Sequence, residues 1–183
     1  ADRPYKNVDH MNCALRDNWN SVVGENDGVI VVGDFAMGQL EETLKIAGQL
    51  QGHKFLVPGN HDRCWKGGNA GAQLARWREA YSEYFTIVDT MQPHVTEGGS
   101  RVEVNHFPFT EPPEHAKRHG DRFSFYRPKD TGQLLIHGHT HSKDIVLGRQ
   151  VHVGTDAWNY TPVPVTIVDN LLEQVENWSR ANE

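Results

Sequence analysis

Four stretches of this 183-residue chain run as short apolar strands and then break into Asp, Asn and His. Val29–Val32 leads into Gly33-Asp34, Phe55–Pro58 into Gly59-Asn60-His61-Asp62, Val102–Asn105 into His106, and Leu134–Ile136 into His137-Gly138-His139-Thr140-His141. Short β-branched and apolar runs closed by Gly or Pro read as strands ending in loops. In α/β sheets, ligands gather beyond the carboxyl ends of strands. The chain therefore aims oxygen and imidazole donors at one rim, the composition of a site for a hard or borderline divalent metal.

Such donors suit the hydrolysis of phosphate esters. Water is a poor nucleophile and the charged phosphoryl group repels hydroxide. Two metal ions address both problems, by lowering the pKa of a shared water and by clamping phosphoryl oxygens. The reaction asks for a bridging carboxylate, for imidazoles or an amide to complete each shell, and for a proton donor. Asp34 suits the bridge, Asn60, His106, His139 and His141 suit the shells, and His61 suits the donor. Asp62, beside His61, is expected to hold its ring and favour the imidazolium.

These signals differ in strength. Gly33-Asp34 alone reads better as an ordinary turn, and a single His106 is more often a satisfied core histidine. Gly59-Asn60-His61-Asp62 exceeds what a turn requires. Three imidazoles at alternating positions 137, 139 and 141 are costly to bury unless a metal or hydrogen bonds satisfy them. On a continuing strand His137 would face the same way as His139, and a supporting structural role is its other reading.

In this order the motifs resemble the calcineurin-like metallophosphoesterase family, whose second to fifth motifs match Gly33-Asp34, Gly59-Asn60-His61-Asp62, His106 and Gly138-His139-Thr140-His141. The resemblance implies a four-layer α/β/β/α sandwich with a binuclear site between its sheets. It implies Asp34 bridging both metals, Asn60, His106 and His139 on one, His141 on the other, and His61 near the leaving group. The implied activity is metal-dependent hydrolysis of a small, nucleotide-sized phosphodiester or phosphomonoester, by attack of a metal-bound hydroxide with His61 as general acid. The mixed donor set suits two divalent transition metals, manganese first and Fe, Zn, Co or Ni after it. Val153–Pro162 looks like the tail of small bacterial and phage members, although strand and turn packing explains it better.

The family's first motif, an Asp-x-His after a first strand, has no counterpart. Asp9-His10 lack the spacer and no apolar strand precedes them. The motif is expected upstream of Ala1, and without it the metal of His141 lacks two ligands. The competing expectation is a non-catalytic or single-metal module that binds phosphate or a nucleotide.

The rest of the chain must position these loops. Met11, Leu15, Trp19 and Val22 recur at helical spacing and predict a helix over roughly Asp9 to Val23, capped by Asp9. Leu40, Leu44 and Ala47 predict a second helix ending near Gly48, and a strand from His53 to Pro58 completes a β-α-β unit. A third helix carries Leu74, Trp77, Tyr81 and Phe85 on one face. The glycines before it, from Gly67 to Gly71, match no phosphate-cradling loop.

Beyond residue 85 the period turns extended. Strands are expected near Thr86–Asp89, His94–Thr96, Arg101–Asn105, Gly132–His137, Asp144–Leu147, Gln150–Val153 and Val163–Val168, followed by a helix from Asp169. Two packed sheets flanked by helices are the expected α/β architecture. The long polar stretch Thr110–Thr131 carries Lys117, Arg118, His119, Arg122, Arg127 and Lys129 with Phe123, Phe125 and Tyr126. It reads either as a nucleotide contact through charge and stacking or as a solvated loop.

Length favours a single domain over residues 1–183. A net charge of −6 without a polybasic run argues against duplex nucleic acid. Cys13 and Cys64 form no metal or disulfide pattern and read as free thiols in a reducing compartment. No stretch approaches a membrane span and the first residues have no secretory pattern, so a soluble cytoplasmic protein with no membrane partner is expected.

Overall fold

The computed structural model of the chain describes residues 3–89, 93–110, 120 and 122–181. The first half alternates helix and strand: α1 (Val8–Val22), β1 (Gly28–Val31), α2 (Leu40–Ala47), β2 (His53–Leu56), α3 (Gly71–Ser82) and β3 (Thr86–Ile87). Its three strands form a parallel sheet in the order β1-β2-β3, the pairing that helical crossovers produce.

The second half builds a five-stranded sheet from β4 (His94–Val95), β5 (Arg101–Asn105), β6 (Leu134–His137), β7 (Val146–Leu147) and β8 (Gln150–His152), ordered β4-β5-β6-β8-β7. Its three central strands are parallel and its outer pairs antiparallel. Helix α4 (Val165–Ala181) follows. The fold is mixed α/β, with one parallel and one mixed sheet. No helix among the described residues is long and apolar enough to cross a membrane.

Two apolar cores fix these layers. Leu44 and Ala47 of α2 and Tyr81 of α3 pack with Leu56, Ala36, Cys64 and Phe85 against the first sheet. Val168 and Leu172 of α4 pack on Val102, Val104, Leu134, Ile136 and Val151 of the second. All four residues of β6 are buried, as a central parallel strand covered on both faces requires. Leu56, Leu135 and Leu172 are each fully inaccessible, and burial of each contributes about 1.5–3 kcal/mol. Val32 and Val57, which follow β1 and β2, join the second core. The sheets therefore meet where the motif-bearing loops leave them.

Three expectations are corrected. Helix α1 is capped by Asn7, whose extended backbone lets its side chain accept the His10 amide at 2.8 Å; Asp9 lies inside the first turn, where its charge suits the helix dipole. Val163–Val168 forms no strand. Helix α4 starts at Val165, because the Pro164 carbonyl accepts the amides of Ile167 and Val168 at 3.0 and 3.3 Å, and Val168, Leu172 and Val175 continue the helical spacing. Helix α3 ends at Ser82, so Phe85 reaches the core from the loop beyond it.

Candidate metal centre

The residues that follow β1, β2, β5 and β6 converge. His106 Nε2 lies 3.3 Å from Asp34 Oδ2, 3.2 Å from Asn60 Oδ1 and 3.3 Å from His139 Nδ1. The ligand atoms of Asp34, His106 and His139 all lie within 4.8 Å of one another. His106 is 2% exposed, and its Nδ1 is 2.9 Å from the Val32 carbonyl. A carbonyl only accepts, so Nδ1 carries a proton there and Nε2 is turned into the cluster.

Asp34 and Asn60 present only oxygen lone pairs to Nε2, so a proton or a cation must sit among these atoms to hold them together. Separations of 3.2–3.3 Å agree with the roughly 3.0–3.4 Å between neighbouring ligands that each lie about 2.0–2.2 Å from one ion. The residues fit a single divalent metal. Burial acts to raise the Asp34 carboxyl, but the hydrogen bond and charge of His106, with the His61 amide on Oδ1 at 2.8 Å, outweigh it and hold the group below the usual carboxylate range.

Asp62 does not hold the His61 ring. Its carboxylate, 1% exposed, is fully occupied elsewhere. Oδ2 accepts the amides of Asp34 at 2.7 Å and Gly59 at 2.9 Å. Oδ1 accepts the amides of Phe35 at 3.0 Å and Ala36 at 3.4 Å and the Tyr81 hydroxyl at 3.1 Å. One buried side chain thereby fastens the Asp34 loop, the Asn60 loop and α3 together. Burial pushes its carboxyl up, and the amides pull the other way.

Two glycines allow the loops this close. A Cβ on Gly33, where φ is +82°, would lie 2.2 Å from His106 Nδ1, and one on Gly59 would lie 2.3 Å from Asp34 Oδ1. Asp34, His139 and His141 themselves have φ of 57°, 69° and 49°, a left-handed conformation that side chains disfavour and that concentrates at functional sites. The turn at Gly138-His139 ends β6 at His137, so the alternation of a continuing strand does not apply. His137 is 4% exposed. It stacks on His152 at 5.2 Å between ring centroids and donates from Nδ1 to the Gly138 carbonyl. It braces the turn that presents His139.

His61 and His141 stand at the exposed edge of the cluster. The His61 amide binds Asp34 and its side chain is exposed. His141 Nδ1 donates to Asp156 Oδ2 at 2.9 Å. Asp156 also receives two bonds from Arg3, at 2.8 and 2.7 Å. Burial acts to raise the Asp156 carboxyl, yet the bonds from His141 and Arg3 depress it strongly. Asp9 and His10 lie in the exposed first turn of α1, with the His10 ring on Tyr5.

A wall of aromatic rings flanks His139. Phe107 and Phe123 lie 4.9 and 5.8 Å from its ring. Trp65 follows, 5.7 Å from Phe107 and 4.7 Å from Tyr126. Lys117, Arg118 and His119 lie outside the described residues. A separate groove of roughly 580 Å³, lined by Gln39, Leu40, Arg63, Gln73 and Trp77 among others, contains none of the ligand residues.

Sequence spacing gave no sign of Asp156, whose partner Arg3 is 153 residues away, or of Tyr81 as a partner of Asp62. The aromatic run Phe123, Phe125, Tyr126 was visible, but its contact with Trp65 was not.

No family model matches the chain. Among curated proteins it is similar to the Gene 66 protein of Mycobacterium phage D29, 32% identical over 96% of this chain and 89% of the relative. The Gene 66 protein of Mycobacterium phage L5 is 33% identical over 82% and 76% of the two chains. An uncharacterized protein of Methanocaldococcus jannaschii is 23% identical over 95% and 82%. The fold is similar to the crystal structure of a protein of unknown function from Aquifex aeolicus, with a TM-score of 0.60, 24% identity and coverage of 92% of this chain and 88% of that one.

Proposed function

The chain belongs to the family of the mycobacteriophage Gene 66 proteins, and we propose that it is a metal-dependent hydrolase of a small, nucleotide-sized phosphodiester or phosphomonoester. The observation that carries this reading is the convergence of Asp34, Asn60, His106 and His139, from four separate strand ends, around a volume suited to one divalent ion. Motif order supports a calcineurin-like metallophosphoesterase scaffold. Helices packed on each sheet, with the sheets meeting at Val32 and Val57, support its four-layer sandwich.

Asp34, Asn60, His106 and His139 hold the ion, with manganese the first candidate. When bound, it acidifies water and offsets charge on the phosphoryl oxygens. His61, exposed and next in the chain to Asn60, gives a proton to the departing oxygen. Asp62 keeps the Asp34 and Asn60 loops in register, so the ligands need no reorganisation when substrate arrives. His141, its Nδ1 proton held by Asp156, would be left with Nε2 to offer a second ion in a two-metal form.

A second reading is a single-metal, phosphate-binding module without turnover. It is favoured by one observation: among the described residues only the Asp34 group gathers three side chains able to hold one ion.

Manganese titration, run with hydrolysis of bis-p-nitrophenyl phosphate and p-nitrophenyl phosphate, separates the two. The hydrolase reading expects at least one ion per chain and turnover that disappears with the metal in His106→Gln. It also expects His61→Ala to lower turnover about 100-fold or more while metal content holds. Metal uptake with no turnover of either ester supports the binding module. No uptake at all removes both.

A further inference from the structure

We infer that the aromatic wall beside His139 is a nucleobase subsite, so that the esters this centre prefers are nucleotides; this deepens the hydrolase reading and rests on it. The wall runs outward from the metal cluster. Phe107, 2% exposed, touches His139 and stacks on Phe123 at 5.3 Å and 28°. Tyr126 is 41% exposed and Phe125, edge-on to it, is 91% exposed. The rings thus pass from the core beside a metal ligand to a face open to solvent.

The outer rings are held in place. Ser124–Tyr126 forms a 3-10 turn, the Tyr126 hydroxyl donates to the Gly67 carbonyl at 3.2 Å, and its ring sits against Trp65. Gly67 is itself pressed against that indole, since a Cβ there would lie 2.3 Å from the Trp65 ring. A fixed turn that leaves a Phe in water keeps apolar area exposed without gain to the fold, whereas a flat ring laid against it recovers that area.

Charge identifies the occupant. In a chain of net charge −6, this face carries the exposed Arg122, its guanidinium 5.7 Å above the Phe123 ring. A cation and aromatic faces next to a centre that takes a phosphoryl group match a ligand that is anionic at one end and aromatic at the other. Every nucleobase offers a π face to such a platform. The platform begins at Phe123, 5.8 Å from the His139 ring, so a phosphate held at the cluster leaves its base beside these rings. The groove lined by Gln39 and Arg63 touches no ligand of the cluster.

Adenosine 5′-monophosphate and ribose 5-phosphate differ by the base alone. Isothermal titration of both into the manganese-loaded protein is expected to give tighter binding of the nucleotide by about 5- to 150-fold, the range of one base-on-aromatic stack. Phe125→Ala and Arg122→Ala, both at exposed side chains where folding is not at stake, should bring that ratio toward one. Equal affinities in the unaltered protein, or a ratio that both variants leave intact, overturns the inference. Loss of self-association in Phe125→Ala with an intact ratio also overturns it, and assigns the face to a second copy of the chain.

Adenosine titrated into the metal-free protein keeps this inference apart from the hydrolase reading. Binding that Phe125→Ala weakens supports the subsite even where no ester is hydrolysed. Binding that neither variant changes, alongside normal turnover, removes the subsite and leaves the hydrolase standing.

Discussion

Asp62→Asn tests the geometry of the centre most directly. The wild-type carboxylate serves five donors: the amides of Asp34, Gly59, Phe35 and Ala36 and the Tyr81 hydroxyl. An amide keeps one acceptor oxygen. The cheapest orientation leaves that oxygen on Asp34 and Gly59 and turns the NH2 toward Tyr81, whose hydroxyl can reverse and accept. The Phe35 amide is then left facing a donor, and the bond from Ala36, already 3.4 Å long, adds little. An unsatisfied buried donor costs about 1–3 kcal/mol, and loss of the charge-assisted character of the remaining bonds adds about 1 kcal/mol. Removing a buried charge returns part of this, so the net cost should be about 1–3 kcal/mol.

That is a large share of a stability of about 5–15 kcal/mol, and it should appear in urea denaturation as a lower midpoint at unchanged slope. Manganese affinity should fall at least tenfold in the same variant, because the amide of Asp34 is one of the tethered groups. Had Asp62 acted through the His61 ring, the substitution would shift the pH dependence of turnover and leave stability alone. A midpoint shift worth less than about 0.5 kcal/mol together with unchanged metal affinity would refute the account of Asp62 as the tie between the loops.

Further outcomes follow from the same geometry. Gly59→Ala would place a methyl 2.3 Å from Asp34 Oδ1 and 2.7 Å from His106 Cε1, so manganese titration should show at least tenfold weaker binding; equal binding would mean the loops are slack. Burial pushes His137 down to about 4, so the unfolded chain takes up the proton first. Stability is complete above the ordinary histidine value and is lost as pH falls toward 4, by about 2 kcal/mol at pH 5; urea midpoints of His137→Gln should show a shallower slope between pH 7.5 and 5, with burial of His152 supplying what remains. Asp156 is displaced the other way. Burial raises it but the bonds from His141 and Arg3 hold it low, so its contribution is present above the ordinary carboxylate range and lost on further acidification. Between pH 5 and pH 3 the parent protein should lose more stability than Asp156→Asn, and parallel curves would count against the Arg3–Asp156–His141 linkage.

Legibility from sequence tracked distance along the chain. Asp34, Asn60, His106 and His139 could be picked out because each lies within three residues after a short apolar run, and local order decides which rim such a residue occupies. Asp62 was misassigned because adjacency suggested His61, whereas its partners arrive from residues 34–36, from Gly59 and from α3. Asp156 and Arg3 lie at opposite ends of the chain, and no periodicity reports such a pair. The run Val163–Val168 reads as a strand by composition. Pro164 and the pull of Leu172 toward the second core make it helical, a tertiary outcome that propensity alone does not contain.

The origin of each ligand in a different strand end also sets when the site comes into being. His106 reaches Asn60 across 46 residues and His139 across 33, and the Asp34–Asp62 tie closes a loop of 28. None of these contacts can form until parallel strands far apart in the chain have paired, and such pairings are the slow steps of folding because loop-closure entropy comes before the reward. A nascent chain therefore has no partial metal site to offer. On refolding in the presence of manganese, capture of the ion should trail the recovery of helical signal and coincide with the last cooperative phase, which makes the metal a reporter of completed tertiary structure rather than a template for it.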